Sequence, residues 1–126
     1  MRSKAFLILV IALAAAALAA PAAPASTASP EASASATCSL RGYYRTLGAS
    51  YVYRLTVRAI SCATGRSLVR SYNACRRRNG GADGRCSYVR GYSCTEFRRS
   101  SRYQFDATAS CRSGLRRFVV SYTQNI

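Results

Sequence analysis

Taken two residues at a time, the stretch from Tyr51 to Ala59 separates into two sets of side chains. Tyr51, Tyr53, Leu55, Val57 and Ala59 fall on one face, and Val52, Arg54, Thr56 and Arg58 on the other. That alternation predicts a strand buried on one side. From Thr64 to about Arg78 the period lengthens. Gly65, Leu68, Val69, Tyr72, Cys75 and Arg76 share one stripe, opposite Arg66, Arg70 and Arg77. An amphipathic helix is expected there, capped near Ser61 or Thr64 and stopped by Asn79-Gly80-Gly81. Alternation returns in Tyr103, Phe105, Ala107, Ala109 and Cys111, against Gln104, Asp106, Thr108 and Ser110. A turn at Ser113-Gly114 leads to a last strand carrying Phe118, Val120 and Tyr122. Between Cys86 and Phe97 a further strand is expected, interrupted by a bulge or bend at Gly91.

The predicted order is strand, helix, strand, strand, strand (β-α-β-β-β), with a short arm from Cys38 to Arg45 in front. The simplest way to hide these stripes is an α+β fold, a small antiparallel sheet with one amphipathic helix packed on one face. An all-β fold with only a short helical turn at 64–78 is the rival.

The segment ahead of this pattern has a different composition. Arg2 and Lys4 precede an apolar run from Ala5 to Ala20, and Ala23-Pro24-Ala25 before Ser26 fits a signal-peptidase site. The run is short for a spanning helix. The reading is a signal peptide over 1–25, with an uncleaved anchor as the competing reading. An Ala/Pro/Ser/Thr linker without secondary structure follows over 26–37, then a single secreted domain over 38–126. A domain of this size buries only roughly 60–65% of its unfolded surface. Export and oxidation change that picture. Cys38, Cys62, Cys75, Cys86, Cys94 and Cys111 can form three disulfides, each stabilising by roughly 2–4 kcal/mol. Six cysteines allow fifteen pairings, and spacing chooses none of them. A zinc site is disfavoured: the chain has no histidine and no Cys-x-x-Cys. No metal and no cofactor is expected.

Val57-Arg58-Ala59-Ile60-Ser61-Cys62, the helix with Gly65-Arg66, Cys86-Ser87-Tyr88-Val89-Arg90-Gly91-Tyr92-Ser93-Cys94, and Ala109-Ser110-Cys111-Arg112-Ser113-Gly114 carry a likeness. Over about residues 51–122 the chain resembles a group of small secreted, disulfide-containing proteins known mainly from high-GC Gram-positive bacteria. The Gly-Tyr-x-Cys element is its clearest part. The resemblance implies structural cysteines at Cys62, Cys86, Cys94 and Cys111, and no enzymatic activity. It also implies that Cys38 and Cys75 are an added pair, tying the leading arm to the end of the helix.

Charge then narrows the function classes. Removing Arg2 and Lys4 from the 19 basic residues leaves 17, all arginine, against 4 acidic ones, a net +13. Such an excess repels itself in the compact state and attracts polyanions. Candidate binding residues are Arg66, Arg70 and Arg77 on the outer helix face and Arg76-Arg77-Arg78 at the helix end. Arg98, Arg99 and Arg102 flank a hairpin turn, and Arg116 and Arg117 lie beside the last one. Arginine's planar fork suits nucleic acid, teichoic acid and anionic lipid head groups alike. Tyr43, Tyr44, Tyr88 and Tyr92 lie outside the inward stripes and are candidates for stacking on bases or sugars.

Enzyme chemistry finds little to work with. The domain has no histidine and only Asp83, Glu96 and Asp106 as carboxylates. A glycosidase-like pair of Glu96 and Asp106, flanking one hairpin, is conceivable, but ion pairs with neighbouring arginines are the expected role. The expected function is therefore non-enzymatic: a secreted cationic module binding polyanions. The alternative is a protein-interaction or inhibitor scaffold that recognises one protein partner by shape.

Overall fold

A computed structural model describes residues 34–126, so the expected signal peptide and most of the linker lie outside the described residues. Six strands form one antiparallel sheet: β1 (Ala36–Thr37), β2 (Tyr51–Arg58), β3 (Tyr88–Val89), β4 (Tyr92–Ser100), β5 (Gln104–Ser113) and β6 (Arg116–Asn125). Their order across the sheet is β1-β2-β6-β5-β4-β3. The helix α1 (Cys62–Arg78) leaves β2 near one edge, and the chain re-enters the sheet at β3 on the opposite edge. It therefore crosses the whole of one sheet face. The α+β architecture read from the sequence is the observed one, and a helix of 17 residues disposes of the all-β alternative.

Local chemistry accounts for the helix. The Ser61 side chain accepts a hydrogen bond from the Thr64 backbone N–H, and Asn79 ends the last turn. The predicted stripe, Gly65, Leu68, Val69, Tyr72, Cys75 and Arg76, is buried, and Asn73 joins it. Gly65 sets how closely the helix approaches β2: a methyl group there would stand 2.5 Å from Val57 Cγ1. Facing the helix are Leu55 and Val57 of β2, Phe118, Val120 and Tyr122 of β6, Phe105, Ala107, Ala109 and Cys111 of β5, and Tyr92 and Cys94 of β4.

Tyr103, read as part of the β5 stripe, lies before the strand and is 69% exposed. Three further features depart from the sequence reading. In β2, Val52 pairs with Tyr122 and Arg54 with Ser121, so one residue is extra. The bulge reverses the alternation: Val52 is buried with Leu55 and Val57, while Tyr51 and Tyr53 turn outward. The strand expected between Cys86 and Phe97 is two strands, β3 and β4, joined by a tight turn in which Arg90 and Gly91 both have positive φ. Pairing also begins ahead of Cys38, because Ala36 and Thr37 form ladder partners with Val57 and Thr56.

All six cysteines are paired, but the pairs differ from those the family resemblance implies. Cys38 joins Cys62 at the helix start, not Cys75. Cys75 near the helix end joins Cys86 just before β3. Cys94 and Cys111 are direct register partners on β4 and β5, with Cα atoms 4.1 Å apart. The reason is topological. The arm hydrogen-bonds along β2, from Cys38 N–H to Leu55 O, which leaves Cys38 beside the helix N-terminus and far from its other end. Both ends of α1 are thus cross-linked to the chain around the sheet.

Gly65→Ala tests the close approach. Alanine is the better helix former by roughly 1 kcal/mol, yet the added methyl must displace Val57, and overpacking costs roughly 1–3 kcal/mol. A lower melting temperature is expected in thermal denaturation. An unchanged or higher value would show that helix and strand are free to separate.

Candidate functional site

Two clusters of charge sit on opposite sides of the sheet. The first is buried. Glu96 projects from β4 toward the helix with its side chain 4% exposed. Oε2 accepts hydrogen bonds from the hydroxyls of Tyr72 on α1 and Tyr122 on β6, and Oε1 accepts from Arg98 Nε. Arg76, fully buried, holds Nε 3.7 Å from Oε2. The rest of the Arg76 fork donates to Asn73 Oδ1 at 2.8 Å and to the carbonyl of Ala82 at 3.0 Å. Arg98 donates to the carbonyls of Asp83 and Gly84 at 2.8 and 2.5 Å. The guanidinium of Arg76 also lies over the Tyr122 ring, at 4.6 Å.

Electrostatics inside this cluster are set by the contest between burial and partners. Burial pushes the Glu96 carboxyl up, but hydrogen bonds from Tyr122, Tyr72 and Arg98 outweigh it and hold the group below the ordinary glutamate range. Burial, then the hydrogen bond to Glu96, raises the Tyr72 and Tyr122 hydroxyls, which stay protonated as donors. The surface residue Arg85 also reaches the cluster, with Nη1 3.5 Å from Oε1. Asp106 does not join Glu96. It projects from the other face of the sheet, where it accepts a hydrogen bond from Thr123 at 2.5 Å.

The sequence-derived candidate arginines do not gather into one patch. Arg76 lies in the core and reaches no external ligand, because the helix stripe that buries its neighbours includes it. Arg98 is occupied by Glu96 and two carbonyls, with its side chain 9% exposed. Three helix arginines are turned onto the arm: Arg66 lies 4.4 Å over the Tyr43 ring, Arg70 donates to Thr46 O, and Arg77 donates to Gly48 O. Arg78 is exposed near the helix end, Arg102 lies over Tyr103 in the β4–β5 turn, and Arg116 lies over Tyr92. Arg99 and Arg117 are on the outer sheet face. Among the tyrosines proposed for stacking, Tyr92 is buried, Tyr43 is covered by Arg66, and Tyr44 stacks on Tyr51 at 5.3 Å. Tyr88 alone of these is widely exposed.

The second cluster occupies the outer face, on the side of the sheet away from the helix. Arg58 of β2 pairs in register with Arg117 of β6, and Arg117 with Arg112 of β5, so three guanidinium stems stand in one row across three strands. Arg54 stands four residues from Arg58 along β2, opposite Ser121. Between them lies a floor of short polar side chains, Thr56, Thr108, Ser110 and Ser121, with Thr108 and Ser121 hydroxyls 3.0 Å apart. Arg54, Thr56, Arg58, Thr108, Arg117 and Ser121 line an open depression of about 400 Å³. Arg117 donates to Ser110 Oγ at 3.0 Å. Every ion pair among the described residues is made by Glu96, so these four arginines have no carboxylate within 4.0 Å. Arg54, Arg58 and Arg112 were not among the candidates drawn from charge runs. The signal for them is the alternation itself, which puts Arg54 and Arg58 on the polar side of β2. The row, however, exists only in the strand register.

The chain matches no protein-family model, no curated protein and no solved structure. Among the described residues there is no group of ligands able to hold a metal ion and no helix long and apolar enough to cross a membrane.

Replacing Glu96 by Gln leaves Arg76 and Arg98 without their anion, and breaking a buried pair in this way costs roughly 3–5 kcal/mol at neutral pH. Because the folded carboxyl titrates below its unfolded value, its stabilisation is complete above about pH 4.3 and is lost as pH falls through the lower folded value. Chemical denaturation as a function of pH is therefore expected to show wild-type stability falling in acid. Glu96→Gln starts lower and loses the part of that slope due to this group. Equal stabilities at pH 7 would contradict the role given to Glu96.

Like charges directly opposed across strands destabilise a sheet by roughly 0.2–1 kcal/mol. Arg112→Thr is accordingly expected to raise the melting temperature in low salt and to change it little at high ionic strength, where the repulsion is screened. A fall at both salt concentrations would mean that the row is not under strain.

Proposed function

We propose that this protein is a secreted, non-catalytic binding module that holds polyanions on the outer face of its sheet. The observation that carries the reading is the row Arg58, Arg117 and Arg112, which sets like charges at adjacent register positions with no acidic neighbour. A surface evolved only for solubility intersperses both signs. This one concentrates cations where their mutual repulsion lowers stability, and an anion laid across the row relieves it. Three disulfides fit an oxidising extracellular compartment. The expected leader and the likeness to small secreted proteins of high-GC Gram-positive bacteria support the same location. There, nucleic acid released from cells, teichoic acid and anionic lipid head groups supply the polyanion.

Counterion release provides the test. Affinity for a DNA oligonucleotide is expected to fall linearly on a plot of log K against log salt, with roughly 0.7–0.9 of slope per phosphate neutralised. The triple variant Arg58→Gln, Arg112→Gln, Arg117→Gln is expected to reduce that slope by about 2, while Arg78→Gln, beyond the outer face, changes it less. Salt-independent binding favours the protein-partner scaffold. An unchanged slope in the triple variant removes the outer face from the reading.

A further inference from the structure

The outer face is not uniformly cationic. Phe97 on β4 is 67% exposed and Tyr53 at the β2 bulge 47% exposed. Both line one shallow depression, of about 220 Å³, with Thr108, Arg99 and Asp106 between them. The register places it directly beside the arginine-lined depression: Phe97 pairs with Thr108, Thr108 with Ser121, and Ser121 with Arg54. Thr108 lines both. Two large aromatic side chains gain nothing for folding by facing water. One of them, Tyr53, faces out only because the bulge reverses β2, which removes it from the stripe that buries Leu55 and Val57.

We infer that the polyanion bound on this face is single-stranded nucleic acid, with Phe97 and Tyr53 as stacking platforms for bases and the arginine row as the phosphate site. The inference rests on the outer-face reading above and names its ligand. An open antiparallel sheet carrying exposed aromatics beside guanidinium groups combines the two elements that hold a single strand, base stacking and backbone charge. A polyanion without flat rings, such as a teichoic acid or a lipid head group, has no use for the aromatic end. Asp106 adds polarity to the arrangement. Its carboxylate sits in the aromatic depression, repels phosphate there, and can accept a hydrogen bond from a base N–H. From Arg112 to Thr108 the chain advances four residues along β5, about 13 Å at the usual strand rise. A few nucleotides of an extended strand span that distance.

The test compares three probes of equal length at one salt concentration: a thymidylate dodecamer, an abasic dodecamer with the same phosphates, and a duplex dodecamer. Thymidylate is expected to bind roughly tenfold or more tightly than the abasic strand, since a stacked base contributes about that much. Phe97→Ala and Phe97→Leu are expected to bring thymidylate binding down toward the abasic level and to leave abasic binding unchanged. Tyr88→Ala, exposed elsewhere, leaves both unchanged. Equal binding of the two single strands, with no effect of either Phe97 variant, overturns the stacking inference and leaves the polyanion reading standing. Duplex binding as tight as thymidylate binding also overturns it, because paired bases are closed to these rings. Failure of all three probes to bind overturns the outer-face reading itself.

Discussion

A single buried carboxylate organises this domain. Glu96 is reached from the helix by Tyr72 and Arg76, from β6 by Tyr122, and from its own strand by Arg98. Those partners then fix what lies around them. Arg76 and Arg98 hold the carbonyls of residues 82–84, so the link between helix and sheet folds back on the cluster. Asn73, which accepts from Arg76, donates to Leu47 O at 2.8 Å and so draws in the leading arm. A charge in the interior depends on its partners. Arg76 Nε, 3.7 Å from Oε2, makes no hydrogen bond, but the remaining contacts of Glu96 and Arg76 engage helix, sheet, arm and link at once, which gives a small core a specific arrangement that its apolar contacts alone leave loose.

The same scarcity of acid has the opposite consequence outside. The chain has four acidic residues against nineteen basic ones, and the core consumes one of the carboxylates. Of the other two described carboxylates, Asp83 and Asp106, neither forms an ion pair with the arginine row on the outer face. A domain this small cannot absorb such repulsion with apolar burial, and the disulfides at both helix ends and across β4 and β5 supply the missing stability. The cross-links and the uncompensated charge thus belong to one design: the covalent frame permits a surface that an unlinked fold of this size sustains poorly.

Much of the fold was legible in the sequence because side-chain periodicity reports directly on which face is buried. The inward residues of β5 and β6 and the helix stripe follow from it. Arg76 shows the strength of that signal. Its place in the stripe marked it as buried while its membership of an arginine run suggested exposure, and the stripe was the better guide. The reversal at Tyr53 was not legible, since a bulge is a property of two paired strands and not of one. The turn at Arg90-Gly91 was also obscure, because an arginine at positive φ gives no compositional warning. Disulfide partners depend on which ends of the fold meet, and spacing says nothing about that. The site suffered most. Runs of consecutive arginines pointed to turns and to the helix end, where most of the side chains are tied to carbonyls and rings; of the outer row they included Arg117 alone, because Arg112 stands singly five residues before it and Arg58 singly on β2, more than fifty residues earlier.

The contrast between the tied and the untied arginines bears on function. Arg66, Arg70 and Arg77 are anchored on the arm, and Arg76 and Arg98 in the core, so each has a structural reason to be arginine. Arg54, Arg58 and Arg112 show none: their side chains donate no hydrogen bond to another described residue, and Arg54 and Arg58 line a depression floored by hydroxyl side chains. Were their role only to keep the protein dissolved, the β2 and β6 positions could carry opposite signs and gain cross-strand stabilisation. The strand register instead aligns like with like, beside two aromatic rings that the fold has no need to expose. The proposed binding of single-stranded nucleic acid rests on this coincidence, a surface that forgoes both ion pairing and burial at neighbouring positions.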